Sequence, residues 1–422
     1  MGGVLSVLRF RDFRLLWLSQ AASVMGDALI LVAIGLFVTR LTGNAGDVGL
    51  VLTSYSLPLV LWLLIGGVVA DRLPRQQVMV VSDAVRGTLH ALLAVLIATG
   101  AVQIWQMMVI GVLFGTAEAF FRPAYTGLVP QTVPEDQIQR AQALGGLSVE
   151  LATFLSPAIA TALVLSVGGA AAFGLDALTF AVSAIILTRV RGRQRGTPSE
   201  RTTVVTELRE GWSAVRERTW VGGTIAAFSG SLLLGLAPFV VLGASVSTSV
   251  YGTSAVYGWA SAAWGAGTMT GALAGSAWRP ARPMLTGTLA CIPWPALVVV
   301  FALGPPLGVL YAVAAGGGVG IGLFTVWWET ALAERIPPHL LSRVSAWDWM
   351  GSLALLPLGY LLAGPVAEQV GAVRTMVVGG LLAVVSMALG LLPRSTRTLA
   401  RLPAPAAAPV AAAAAAMSLR GS

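Results

Sequence analysis

The chain has 422 residues, 56% of them hydrophobic and only 10% charged, with a mean hydropathy of +0.82. Soluble globular chains carry roughly 25% charged residues, so this composition excludes an ordinary soluble enzyme and makes lipid the main solvent. The formal charge of +8 does not point to nucleic acid, because every basic residue is an arginine and most lie between apolar runs, where a membrane surface is their natural partner.

A membrane-spanning helix needs about 20 mostly apolar residues. Twelve runs meet that need, in chain order 15–38, 48–70, 78–98, 104–129, 143–167, 170–187, 221–244, 255–277, 284–303, 307–328, 344–363 and 373–392. Arg9, Arg11 and Arg14 precede the first run, which is too long for a cleavable signal and is followed by no small-residue cleavage pattern. With the N-terminus inside, all the arginines except Arg40, Arg86 and Arg374 fall on the inner side, so both termini are expected in the cytoplasm.

The gap at 189–218 is polar, and its second part, 203–218, places Val204, Leu208, Trp212 and Val215 at helical spacing. An amphipathic helix lying at the membrane surface is expected there. The domain organisation follows: a six-helix bundle over 1–190, a cytoplasmic linker over 191–219, a second six-helix bundle over 220–393, and an Ala/Pro-rich tail over 394–422, expected to be disordered.

The two halves repeat. Gly115, Phe121, Pro134 and Arg140 recur as Gly318, Phe324, Pro337 and Arg343, and VPEDQIQR at 133–140 is echoed by IPPHLLSR at 336–343. With one more residue of offset, Gly67 and Arg75 meet Gly271 and Arg279, and Gly275 stands where Asp71 would fall. Equal span number in equal orientation makes this a parallel repeat about an axis along the membrane normal. The expected fold is therefore all-α, with twelve transmembrane helices in two pseudo-symmetric six-helix bundles.

Between runs two and three stands GVVADRLPR at 67–75. It resembles the Gly-x-x-x-Asp-Arg-x-Gly-Arg signature of the major facilitator superfamily, with Pro74 in place of the second glycine. SVMGDA at 23–28, DAVRG at 83–87, AFFRPAYTGLVPQTVP at 119–134 and FGLDALTFAVSA at 173–184 are similar to the drug:proton antiporter branch that holds macrolide-efflux and enterobactin-export proteins. Two family signatures are weakened. In span 5, Ser156-Pro157-Ala158-Ile159-Ala160 keeps the proline without the glycines, and Gly111 replaces the span 4 arginine.

The resemblance implies a multi-pass monomer of the bacterial cytoplasmic (inner) membrane that works by alternating access. An ionisable group at the bilayer centre costs about 2.5–3.5 kcal/mol and therefore faces a cavity or a partner. Asp27, Glu118 and Glu150 lie near mid-span, and spans 1 and 4 line the cavity in this family, so they are the candidates for proton coupling or substrate binding. Glu118 and Arg122 are also spaced to pair along one helix face, and Asp27 has small polar neighbours as alternative partners. Gly67, Asp71, Arg72 and Arg75 form the candidate conformational gate, with Asp71 meeting a helix N-terminus across the two halves. Asp83 and Arg86, with Arg122, form a candidate structural charge network. Asp176 and Asp348 are read as serving helix ends. Trp264, Trp327, Trp328 and Glu329 form a candidate substrate wall, against which the tryptophans' alternatives are interfacial anchoring or plain packing.

Other chemistry has no support in the sequence. His90 and His339 are too isolated to suggest a metal, and without lysine there is no nucleotide-binding P-loop. GGGVGIG at 316–322 lies within a span and reads as close helix packing, and Cys291 as a buried small hydrophobe. No cofactor is expected. The expected function is efflux of a small amphipathic compound (a drug, an antibiotic or a secondary metabolite) in exchange for protons, which would confer antibiotic resistance. Import or uniport of a nutrient or siderophore, or a sensor that does not transport, are the alternatives.

Overall fold

In a computed structural model of the chain the described residues are 4–134, 137–191, 204–278 and 280–401, and they are helical apart from short connections. The first half comprises α1 (Arg11–Thr42), α2 (Ala45–Arg72), α3 (Arg75–Ala98), α4 (Ile104–Thr132), α5 (Ile138–Ser166) and α6 (Gly169–Leu187), preceded by a 3₁₀ segment, Val4–Arg9. Then come α7 (Val204–Glu217), α8 (Thr219–Ser231) and α9 (Ala237–Tyr251), the last two joined by a π-helical turn, Leu232–Leu236. The second half continues with α10 (Ala255–Ala277), α11 (Pro283–Cys291), α12 (Pro293–Leu303), α13 (Leu307–Arg335), α14 (Pro338–Leu353), α15 (Leu356–Val370), α16 (Ala372–Leu389) and α17 (Arg394–Thr398).

The connections follow from local chemistry. Gly43 ends α1 at φ 69°, a left-handed position that a glycine adopts without strain, and its N–H caps Thr39. Asn44 then caps α2, its side chain accepting from Gly46 N–H at 2.6 Å. Leu73 and Pro74 alone join α2 to α3. Pro74 sits at φ −58°, a value its ring imposes anyway, so this turn needs no glycine and the family's second glycine is dispensable here. Prolines also break two spans, between α11 and α12 ahead of Pro293, and between α14 and α15 ahead of Pro357.

Among the described residues, eleven segments are long and apolar enough to cross a membrane. The expected twelfth, Ala255–Ala277, has the length, at 23 residues, but its Gly, Ser, Thr, Trp and Tyr content keeps it outside that group. It packs along α13 as α2 packs along α4. In α4, a side chain on Gly115 would collide with the Tyr55 carbonyl of α2; in α13, one on Gly318 would collide with the Trp264 carbonyl of α10. The repeat thus places Trp264 opposite Tyr55. That register is longer than the one pairing Gly67 with Gly271, and it moves Gly275 away from the position of Asp71.

Among the described residues, buried apolar side chains form three clusters. One, including Leu36, Val51, Phe173, Val241, Tyr257 and Phe301, draws on both bundles at the end remote from the termini. The other two lie at the end carrying the termini and stay within one bundle each, around Leu16, Phe121 and Leu128 in the first and around Trp220, Phe324 and Trp328 in the second. Contacts between bundles follow the same division. Gly46 packs on Gly364, Gly49 on the Tyr360 carbonyl and Gly258 on Thr161, while the Thr53 hydroxyl donates to the Pro357 carbonyl at 3.2 Å. Near mid-span, Gly265 lies on the Thr153 carbonyl. The bundles share a core at one end and keep separate cores at the other.

The amphipathic helix is docked on protein. Gly211 lies against Trp347 and Arg343 of α14, Glu210 pairs with Arg343, and the Trp212 and Trp347 rings are 4.9 Å apart. Ala214 and Val215 are buried in the second bundle's core, while Trp212 stays 46% exposed. The expected disordered tail begins with ordered chain, since α17 contacts α8 and α11 and the Arg401 N–H donates to the Ala281 carbonyl at 3.0 Å. Residues 192–203 of the linker, Arg279, residues 402–422 of the tail, and the side chains of Val204, Leu208 and Asp71 lie outside the described set.

Candidate functional site

Helix α3 carries Asp83, Arg86 and His90 at spacings that put all three on one face, and that face is turned inward. All three side chains are fully buried. Arg86 Nη2 donates to Asp83 Oδ1 at 2.5 Å, and the other Asp83 oxygen accepts from the Ser183 hydroxyl of α6 at 2.6 Å. Arg86 Nη1 reaches across to Asp27 Oδ2 of α1 at 3.4 Å. The guanidinium is held between two rings, 4.3 Å from Phe180 and 4.4 Å from Phe121, with Phe114 at 5.6 Å. A charge enclosed by aromatic faces and two carboxylates has exchanged hydration for fixed partners.

Asp27 is the accessible end of this chain of contacts. Its side chain is 31% exposed, against 0% for Arg86, and its Oδ1 is buried with no hydrogen-bond partner. Glu118 of α4 lies within electrostatic reach of Asp27. Glu118 accepts from Arg122 Nε at 2.9 Å and Nη2 at 2.6 Å, so the expected pair along the helix is formed, partly exposed. Arg122 therefore pairs with Glu118 on its own helix, while Asp83 pairs with Arg86.

Asp176 was expected to serve a helix end. It is instead buried and paired with His90 Nδ1, while His90 Nε2 is 3.1 Å from the Tyr55 hydroxyl of α2. The imidazole stacks on Phe114 with ring centres 4.3 Å apart. Asp176 also presses against the backbone of Gly26, next to Asp27, where a side chain would collide with the carboxylate. The sequence reading missed the Tyr55–His90–Asp176 chain. The signal available was the spacing of His90 from Asp83 and Arg86, which marks a shared helix face.

The remaining candidates are dispersed. Glu150 is half-buried on α5, its Oε2 inaccessible and unpartnered. Flanking the turn between α2 and α3, Arg75 at the start of α3 donates to the Gly127 carbonyl of α4 at 2.5 Å, within its own bundle, and Arg72 at the end of α2 is exposed. Gly66, not Gly67, makes the close helix contact, lying on the Ala119 carbonyl, whereas Gly67 has open space beside it. Gly111 lies on Ser54 and Tyr55, so α2 occupies the space an arginine would need there.

Trp327 and Trp328 do not form a wall in this conformation, nor do they anchor at an interface. Both are buried, with Trp327 N–H donating to the Trp278 carbonyl at 2.9 Å and Trp328 N–H to Asp348 at 2.8 Å. Asp348 thus serves an indole, not a helix end. Glu329 is exposed. Trp264 stands 5.5 Å from Trp294, with its N–H buried and unpartnered.

Residues 16–354 match the Major Facilitator Superfamily. Macrolide efflux protein A of Streptococcus pyogenes is 23% identical over 88% of this chain and 93% of its own length. Multidrug efflux pump Tap of Mycobacterium tuberculosis (strain ATCC 25618 / H37Rv) is 26% identical over 82% of this chain and 84% of its own. Among solved structures, a bacterial homolog of the human lysosomal transporter Spinster, inward-facing and unoccupied, superposes with a TM-score of 0.70 at 15% identity, covering 93% of this chain and 98% of that one. The nucleoside transporter NupG superposes at 0.65 and 13% identity, over 90% of this chain and 99% of that one. The chain is a membrane transporter, not an enzyme, and it belongs to the Major Facilitator Superfamily.

Proposed function

We propose that this transporter exports a small amphipathic compound, such as an antibiotic or secondary metabolite, in exchange for protons across the bacterial cytoplasmic membrane. The observation that carries the reading is the buried charge cluster around Arg86, with Asp27 at its accessible end. Asp27, Asp83, Glu118 and Asp176 are four carboxyl groups facing two guanidiniums and one imidazole. Unbalanced charge in low dielectric is costly, so the cluster favours holding a proton, and Asp27 is placed to take it. A cationic or polar substrate group reaching Asp27 competes with that proton, and such competition is what exchange requires.

Direction comes from the distribution of arginine, which sets the termini in the cytoplasm. The end where the bundles keep separate cores then faces inward, so the conformation is inward-facing. The relatives named for macrolide and multidrug efflux support export. Asp27→Asn and Glu118→Gln variants, assayed for efflux of erythromycin and ethidium from energised cells, test the assignment. Asp27→Asn is expected to abolish gradient-driven efflux and Glu118→Gln to weaken it; full activity in both would overturn the role given to this cluster.

A further inference from the structure

The Tyr55–His90–Asp176 chain has so far entered only in the charge balance of the cluster, with no proton step of its own, and its histidine and aspartate are fully buried in the first bundle. His90 and Asp176 are both 0% exposed, and Asp176 pairs with His90 Nδ1 while Tyr55 faces Nε2. Every element packed around the imidazole brings a defined group. Helix α6 supplies Asp176, α2 supplies Tyr55, and α4 supplies the Phe114 face, with Glu118 and Arg122 one turn or more beyond. Asp83 and Arg86 lie on α3 itself, and α1 brings Asp27 beside Gly26, the residue against which Asp176 packs.

We infer that the His90–Asp176 pair is a second proton-binding site of the transport cycle, set behind Asp27 and separate from it. The hydrogen-bond accounting makes this feasible without moving a heavy atom. In the neutral imidazole, Nδ1–H donates to Asp176 and Nε2 accepts from the Tyr55 hydroxyl. When a proton arrives at Nε2, the Tyr55 hydroxyl turns and accepts from the new N–H. Both states leave every polar atom of the imidazole partnered. The pair's net charge goes from −1 to 0, so proton binding removes a charge from the bundle interior.

The inference rests on the proton-exchange reading, and its test is separable from it. The chain has two histidines, so a His339→Gln variant leaves His90 as the only imidazole signal in ¹⁵N-histidine NMR of the full chain in nanodiscs. As the pH is lowered from about 8 to about 5, the range in which histidine serves as a switch, a proton-binding site requires the His90 signals to show both the Nδ1–H neutral form and imidazolium. A single protonation state across that range would overturn the site. In proteoliposomes, His90→Gln, whose amide can still donate to Asp176, is expected to lose at least half of the ethidium accumulation driven by a pH gradient. Wild-type accumulation in that variant would overturn the coupling role. Protonophore-insensitive transport by the wild type would count against proton exchange itself and leave the NMR result standing.

Discussion

Arg86 is the residue on which the first bundle's interior depends. It neutralises Asp83 and reaches Asp27 while lying between Phe121 and Phe180. Removing one partner of such a buried pair costs about 3–5 kcal/mol, because the other charge is left stranded. Arg86→Leu should therefore lower the thermal unfolding midpoint of the detergent-purified protein sharply, and adding Asp83→Asn should restore part of the loss. The Glu118–Arg122 pair makes a useful contrast. Arg122 is 46% exposed, against 0% for Arg86, so breaking the pair with Glu118→Gln should lower the midpoint less than Arg86→Leu in the same thermal assay. The acidic residues of this site were legible in the sequence, since a carboxylate at mid-span is conspicuous. Their partners were less so. A lone histidine in an apolar run gives no sign of the aspartate 86 positions later that meets it, because that meeting depends on how α3 packs against α6. The tryptophans misled for the same reason: Trp327 and Trp328 sit near a span end in sequence, but their faces are turned into the second bundle.

Close packing at the level of helix pairs rests on glycine. Gly115 and Gly318 hold equivalent places in the two halves, each letting one helix lie on a carbonyl of another. Gly115→Leu and Gly318→Leu should each separate a helix pair, costing about 1–3 kcal/mol or more through overpacking. Gly67→Leu, by comparison, enters open space and should be tolerated. A reduced yield of monodisperse protein for the first two variants, with a normal yield for the third, is the expected pattern. The sequence supplied the helix content, the parallel repeat and the amphipathic linker helix, since these follow from hydropathy and spacing. It misplaced the register between spans 2 and 8, because small residues recur so often in α10 that several alignments look alike. It also could not show that α7 docks on α14, a contact made by Gly211 and by the Glu210–Arg343 pair.

At the scale of the whole molecule, a shared core at one end and separate cores at the other describe one of the two shapes that alternating access requires. Wedging the shared end apart should disfavour that shape. A side chain on Gly258 would collide with Thr161 across the bundle interface, so Gly258→Leu is expected to slow transport, as read by efflux assay. Wild-type efflux in that variant would contradict the need for this end to close. The central claim, proton-coupled export through Asp27, meets its most direct test in cells expressing the protein and loaded with erythromycin or ethidium. Wild-type cells should retain less of the probe than cells carrying an empty vector. A protonophore should erase the difference, and Asp27→Asn cells should retain the vector level with or without it. Lower retention that survives collapse of the gradient, or retention that falls when the gradient collapses, would contradict the account.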